Sequence, residues 1–237
     1  MRVICLSAQL PGHLDWGGYL ATARALRARG HELLWASGVE VLPLLERAGM
    51  PSVVLETTGW RWPPPPPIRP RAGDDPQEFE RLRMQRALDQ WLDVERVTAA
   101  TDELSALVQE WQPDLILTEM FVAASGLVAE QQEIPFGVIG WPAPGKTAGR
   151  QNQAAQQTVV AEARRRLNTL RAHFGLQGVN WTKTGAPALN SRYLHLTYWS
   201  ESWLGMTAMP PTQHVGGIGS TSTVKRSPVS YTHLTLP

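Results

Sequence analysis

Two residues at the ends of predicted strands could act together in acid–base chemistry. His13 lies in AQLPGHLDW, which follows the first predicted strand, and Glu119 ends the apolar run PDLILTE. A carboxylate that binds one imidazole nitrogen fixes the tautomer and stabilises the charged form, so that the histidine can act as a general base. The sequence spacing of His13 and Glu119 does not by itself establish this pairing. A loop histidine is more commonly a surface residue, and a glutamate after a strand is more commonly a helix cap or a solvated charge.

The segment GWPAPGKT, Gly140–Thr147, matches the phosphate-loop pattern G-x-x-x-x-G-K-[ST]. Such a loop wraps phosphate groups with successive backbone N–H groups. Pro142 and Pro144 have no N–H to donate, and they also stiffen the turn. The later segment YLHLTYWS ends without an aspartate that could hold magnesium. A phosphate-loop nucleoside triphosphatase is therefore kept as an alternative, and the favoured interpretation is a proline-rich turn that carries Trp141 over the top of the sheet.

Strand-like and helical patterns alternate along the chain. The strands and helices that they predict must position these residues. The opening order is strand, helix, strand, helix, strand, over RVICLSA, YLATARALRARG, HELLWAS, VEVLPLLERAGM and PSVVLE. Later strands are predicted at PDLILTE, IPFGVIG, YLHLTYWS and TQHVGGIG, and later helical patterns at 77–111, MFVAASGLVAEQQE and QNQAAQQTVVAEARRRLNTLRAHFG. This alternation predicts an α/β fold with a doubly wound, mostly parallel, Rossmann-like sheet. Ligands of such sheets bind at the carboxyl ends of the strands, where His13 and Glu119 fall. In a doubly wound order that starts at the sheet centre, the first and fourth strands are neighbours, so we expect these two side chains to approach each other at one edge.

Composition narrows the possible partners and the compartment. The 237 residues are 43% hydrophobic, which is enough for one large domain, and the net charge of +1 predicts no nucleic-acid partner. Cys5 is the only cysteine, which excludes an internal disulfide. No run reaches transmembrane length and no signal segment is recognisable, so a cytoplasmic location is expected. No cluster of His, Cys or Asp has metal-ligand spacing, so no metal is predicted.

Three segments together resemble a known enzyme family. PGHLDWGGYLATARALRARGHELLWASG is similar to the start of UDP-glycosyltransferases of the glucosyl/glucuronosyl type, which include macrolide glycosyltransferases. WQPDLILTEMFVAASGLVAEQQEIPFGVIGWP resembles their second landmark, and RYLHLTYWSESW with PPTQHVGGIG resembles the end of their first domain. The resemblance covers residues 1–219, and the order and spacing of the three segments strengthen it.

The resemblance implies a GT-B fold, in which an N-terminal Rossmann-like domain binds the acceptor and a C-terminal one binds the nucleotide sugar. The catalytic base of the family then falls on His13, and its acidic partner, usually Asp, falls on Glu119. Gly12 and Trp141 would contact the acceptor, a small lipophilic molecule with a hydroxyl group. His31 matches a structural position. The resemblance implies a nucleotide sugar as co-substrate, with no cofactor.

The expected domain organisation is an acceptor-binding domain over residues 1–219 and an unstructured tail over 220–237. The tail STSTVKRSPVSYTHLTLP is polar and has no helical period, and nothing in it resembles a donor domain. We therefore expect a truncated sequence that lacks the donor domain and transfers no sugar alone. An acceptor-binding subunit that pairs with a separate donor chain is the alternative within the same family.

Overall fold

The computed structural model describes residues 1–16, 18–70, 73–140, 153–198 and 212–214, with the description of residues 13, 15, 16, 153–155 and 214 confined to the backbone. The strands are β1 (Arg2–Leu6), β2 (Glu32–Ser37), β3 (Ser52–Val54), β4 (Leu115–Thr118), β5 (Phe136–Gly140), β6 (Leu194–Thr197) and β7 (Thr212–His214). The helices are α1 (Pro11–Trp16), α2 (Tyr19–Ala28), α3 (Leu42–Arg47), α4 (Pro76–Trp91), α5 (Val94–Trp111), α6 (Ala123–Gln131) and α7 (Gln153–Phe174).

The described strands form one parallel sheet in the order β3-β2-β1-β4-β5-β6-β7. The chain starts in the interior of the sheet, runs to one edge through β2 and β3, and then returns to β4 beside β1 before running to the other edge. The winding direction therefore reverses between β1 and β4, which is the switch point where open α/β sheets bind ligands. The α/β, doubly wound, mostly parallel Rossmann-like fold predicted from the sequence is confirmed.

Alternate side chains of β1 enter two separate hydrophobic cores. Ile4 and Leu6 pack into the core that α5, α6 and α7 cover, whereas Val3 and Cys5 pack into the core that α2 and α3 cover. A strand buried on both faces has a continuous apolar sequence, because neither face can carry polar side chains. The central strands could be located from the sequence for this reason.

The helical pattern over 77–111 forms two helices, α4 and α5, which are separated at Leu92 and Asp93. Asp75 and Asp93 are their N-caps, and each carboxylate accepts a backbone N–H of the first turn, at 2.9 Å and 3.0 Å. Across the same side of the sheet, Arg166 of α7 donates to Asp89 of α4 at 2.6 Å. None of the helices in the described ranges combines the length and apolarity needed to cross a membrane.

The segment after β1 differs from the expected loop. PGHLDW forms the short helix α1, which places His13 on a helix and not in an irregular loop. Pro11 is the first residue of α1, where its missing N–H would have no intrahelical partner and its fixed φ angle suits a helix. Residues 141–150, with most of the phosphate-loop pattern, and the tail 220–237 lie outside the described residues.

Strand β6 buries a histidine away from the candidate site. His195 is 1% exposed, its Nε2 accepts the backbone N–H of Ser191 at 3.0 Å, and its Nδ1 has no hydrogen-bond partner among the described residues. Burial lowers the pKa of His195 to about 4, because the interior disfavours the charged imidazolium. The folded protein therefore holds this side chain neutral at pH values where an unfolded chain binds a proton.

We predict that His195 makes folding acid-sensitive. The pKa of His195 rises from about 4 when folded to about 6.5 when unfolded, so the free energy of unfolding should fall as the pH drops from 6.5 to 4. The decrease should approach about 3 kcal/mol, since each pKa unit corresponds to about 1.4 kcal/mol. Urea unfolding across this pH range measures it. His195→Gln, which stays neutral, should flatten the dependence, whereas His173→Gln on the surface of α7 should not. Equal slopes for these two variants would contradict the assignment.

Candidate functional site

Tyr19 joins the carboxyl ends of β1 and β4. Its buried hydroxyl group accepts from the backbone N–H of Leu6 at 3.0 Å and donates to the carbonyl oxygen of Leu117 at 2.7 Å. Leu6 is in register with Thr118, so a regular parallel ladder would pair these same two backbone groups with each other. Burial raises the pKa of Tyr19 well above its ordinary value, which keeps the hydroxyl protonated and able to donate.

The loop that leaves β1 is fixed from the β2 side by a network of buried hydroxyl groups. The Ser37 hydroxyl donates to the carbonyl oxygen of Ser7 at 2.8 Å, and the Ser7 hydroxyl donates to Ser37 Oγ at 3.1 Å. The indole N–H of Trp35 donates to Ser7 Oγ at 3.0 Å. All three residues are buried, so the start of the β1–α1 loop has a single hydrogen-bonded arrangement.

Glu119 fixes the same loop from the β4 side. Its side chain is 2% exposed, and Oε1 accepts the backbone N–H of Ala8. Its own backbone N–H donates to the carbonyl oxygen of Leu6 at 3.2 Å, which continues the ladder between β1 and β4. The sequence predicted Glu119 as the partner of His13. The structure shows that its carboxylate braces the loop that leads into α1, and the pairing with His13 stays a prediction.

His13 and Gly12 lie on α1, at the carboxyl edge that Glu119 also occupies. The parallel pairing of β1 with β4 places the residues that follow both strands side by side, as the doubly wound order predicted. The side chain of His13 lies outside the described residues, so its distance from Glu119 and its exposure stay predictions. Gly12 is half-buried on the first turn of α1.

The start of α2 is packed against the residue that follows β6. Gly18 has a φ angle of 73°, and a Cβ atom there would lie 2.8 Å from the ring of Tyr198. The hydroxyl groups of Tyr198 and Thr22 are hydrogen-bonded, and burial raises the pKa of Tyr198 to about 12. Sequence reasoning missed Tyr19 and Tyr198. A tyrosine directly after two glycines at a helix start was the available signal for Tyr19.

Trp141 was predicted to contact the acceptor, and no metal site was predicted. Trp141 follows Gly140, the last residue of β5, and itself lies outside the described residues, so its contact with an acceptor stays a prediction. Within the described ranges, no group of three or more His, Cys, Asp or Glu side chains could hold a metal ion. The described part of the site is the carboxyl edge of β1 and β4, with α1 following β1 in the chain.

Such an arrangement can support a general base. The networks around Ser7, Tyr19 and Glu119 fix the backbone from Leu6 to Ala8, which leads into the helix that carries His13. A fixed backbone reduces the reorganisation needed to align a base with its substrate. The edge itself combines the buried carboxylate of Glu119 with the half-buried side chains of Met120 and Phe121, which follow it. A polar group beside apolar surface is typical of small-molecule sites in α/β sheets.

Solved glycosyltransferases share this fold. SpnG, a spinosyn rhamnosyltransferase, is 20% identical and matches with a TM-score of 0.55 over 84% of this chain and 45% of its own. SsfS6 of Streptomyces sp. SF2575, solved with thymidine diphosphate, is 22% identical with a TM-score of 0.52, over 85% of this chain and 50% of its own. SnogD of Streptomyces nogalater is 21% identical with a TM-score of 0.50, over 85% and 46%.

These matches confirm the expected fold, the α/β half of a GT-B architecture. The chain spans about half the length of the solved enzymes that it matches. No family model matches the chain, and a search of curated proteins finds no match either. At about one identical residue in five, the likeness shows the fold, and the function needs separate arguments from the site.

We predict that Glu119 contributes to stability through Ala8. Glu119→Ala leaves the buried N–H of Ala8 without its acceptor, so the free energy of unfolding should fall by about 2 kcal/mol. Glu119→Gln keeps a side-chain oxygen at this position and should lose clearly less. Urea unfolding measures both, and Glu110→Ala, an exposed glutamate of α5, is the control. If Glu119→Ala were as stable as Glu110→Ala, the carboxylate would not brace the loop.

Proposed function

We propose that this chain is the acceptor-binding half of a glycosyltransferase that moves a sugar from a nucleoside diphosphate to a hydroxyl group of a small lipophilic acceptor. The observation that carries the proposal is the junction of β1 and β4, where Glu119 is bonded to the loop that leads to His13. The likeness of the fold to half of SpnG, SsfS6 and SnogD supports it. The sequence resemblance places the family's base and acidic partner on these same two residues.

In the proposed mechanism, His13 accepts the proton of the acceptor hydroxyl. The oxygen then forms a bond to the anomeric carbon of the sugar while the bond from that carbon to the phosphate oxygen breaks. The nucleoside diphosphate leaves with the electron pair of the broken bond. Glu119 would orient His13 and stabilise its charged form, in addition to bracing Ala8. A positioned general base contributes about 10²–10⁴-fold to such a reaction.

The acceptor would lie between α1 and the ends of β4 and β5. Gly12 has no side chain, so an acceptor can approach the backbone beside His13. Trp141 follows β5, the neighbour of β4, and would cover one face of the acceptor. The nucleotide sugar would be bound by a second domain, and the thymidine diphosphate in the SsfS6 structure indicates the class of donor to test first.

We predict that His13 is essential once both half-sites are present. A chimera can join this chain to the half of SsfS6 that it does not match, and transfer from dTDP- and UDP-glucose to phenols and macrolides can be followed by mass spectrometry. His13→Ala should lower kcat by about 10²–10⁴-fold with a smaller change in the acceptor KM. His31→Ala is the matched control, because His31 directly precedes β2 and is assigned no role in the reaction.

The same assay separates the proposal from its alternatives. The chain without a partner should bind acceptors and transfer nothing, because catalysis needs both substrates held together. Turnover by the chain alone would contradict the assignment as one half of an enzyme. Equal rates for the His13→Ala and His31→Ala chimeras would remove His13 from the mechanism.

We also predict that the chain binds neither ATP nor GTP at Gly140–Thr147. Pro142 and Pro144 interrupt the run of backbone N–H groups that a phosphate loop requires. Isothermal titration calorimetry with magnesium present should detect no binding of either nucleotide. Micromolar affinity that Lys146→Ala abolishes would instead favour the phosphate-loop nucleoside triphosphatase.

A further inference from the structure

A cavity of about 440 Å³ lies on the β2–β3 side of the candidate site, at the same carboxyl edge of the sheet. Gln9 of the β1–α1 loop forms one wall, and Val39 and Glu40 after β2 form another. The segment that follows β3, including Trp60 and Trp62, and Arg96 of α5 close it. The volume lies within the range of about 300–1,000 Å³ that small-molecule sites occupy.

Three residues that line the cavity carry buried polar atoms without hydrogen-bond partners among the described residues. These atoms are Oε2 of Glu40, Nε1 of Trp60 and Nε of Arg96. Buried polar atoms in folded proteins are nearly always paired, so three unpaired atoms around one cavity need an explanation. A ligand that offers both donors and acceptors would supply the partners through small rotations of these side chains.

The aromatic lining indicates a ligand with an apolar face. Trp60 is held by Phe121, with ring centroids 5.0 Å apart, and Trp62 is 40% exposed. A fixed indole and an exposed one suit a flat or ring-shaped ligand, because indole rings supply a large apolar surface at a small cost in conformational entropy. The C–H face of a sugar ring is apolar while its hydroxyl groups point outward, so a sugar matches both kinds of lining.

The charges of the lining favour a cationic ligand. Glu40 and Glu56 carry negative charge, and Arg96 is the cation of the lining. Arg96 is already paired with Asp93 at 3.4 Å and donates to the carbonyl oxygen of Asp89 at 3.1 Å. The excess negative charge therefore lies with the two glutamates, and of these Glu40 has the buried oxygen without a partner.

Gly38 leaves space for Gln9, the uncharged polar side chain at the wall of the cavity. Gln9 is 8% exposed, and its side chain occupies the space over Gly38, where a Cβ atom would lie 2.0 Å from the amide nitrogen of Gln9. The glycine therefore lets Gln9 fold back against the end of β2, which leaves the cavity open. The amide of Gln9 can both donate to and accept from a ligand.

We propose that this cavity is a second small-molecule site that binds an amine-bearing, hydroxylated ring, the chemical class of an amino sugar. The ring would lie against Trp60 and Trp62, the ammonium group would pair with Glu40, and the hydroxyl groups would bond to Gln9 and to the indole N–H of Trp60. The site goes beyond the proposed transferase function and uses neither His13 nor Glu119. Binding, without any covalent step, is its whole activity.

The test is to titrate the full chain with D-glucosamine and, separately, with D-glucose. Binding is measured from the NMR resonance of the Trp60 indole N–H. Trp60→Phe assigns that resonance. D-glucosamine should shift it saturably and bind at least about tenfold more tightly than D-glucose, since a charged hydrogen bond contributes more than a neutral one. Glu40→Gln should abolish that preference. Glu46→Gln, an exposed glutamate of α3, is the matched control and should leave the preference unchanged.

Other outcomes decide against the site. No saturable shift with either sugar, or a preference that survives Glu40→Gln, would overturn the proposal. Cyclohexylamine, a ring with an amine but no hydroxyl groups, is titrated as a third compound. An affinity equal to that of D-glucosamine would show that the hydroxyl groups are not recognised and that the ligand is not a sugar. Should Glu40→Gln fail to fold, Trp62→Ala at the exposed rim replaces it and should weaken D-glucosamine about tenfold. Because the readout is binding at Trp60, its failure leaves the transferase proposal untouched.

Discussion

The hydroxyl group of Tyr19 lies between the two central strands and bonds to a backbone group of each, the N–H of Leu6 and the carbonyl oxygen of Leu117. These strands run side by side but are followed by segments that leave in different directions, β1 into α1 and β4 toward α6. A protein interior requires that each polar backbone group without a partner in the regular ladder find one elsewhere. Tyr19 meets the requirement for two of them, and Glu119 meets it for Ala8.

The candidate site depends on that divergence. The serine network around Ser7 fixes, from the β2 side, the start of the loop that leads from β1 to α1. Glu119 thus has a structural contact beside its proposed chemical role. Its proposed partner, His13, follows a loop whose start, at Ser7 and Ala8, is hydrogen-bonded from both neighbouring strands. A glutamate is longer than the aspartate usual in the resembled family, and its Oε1 atom reaches the N–H of Ala8.

The sequence predicts the order of the strands and most of the helices, but not the side-chain contacts that stabilise them. Continuous apolar runs identified β1, β4 and β5, and the alternation of strands with helices predicted that β1 and β4 are neighbours. The short helix α1 was missed because a Pro-Gly pair is typical of a turn and helical only when Pro11 is the first residue. The contact between Tyr19 and Leu117 joins residues 98 positions apart. No local pattern encodes such a contact, since it exists only after the sheet has formed.

The glycine at position 38 determines which substitutions are compatible with the present shape of the cavity. Its φ angle of −74° is open to any residue, so backbone strain does not require a glycine here. The constraint is the space that Gln9 occupies. A side chain larger than hydrogen at position 38 would displace Gln9 from this space and change the shape of the cavity. Substitutions at positions 9 and 38 should therefore be coupled for as long as the cavity is kept, whereas a lineage that fills the cavity is free to change the two positions independently.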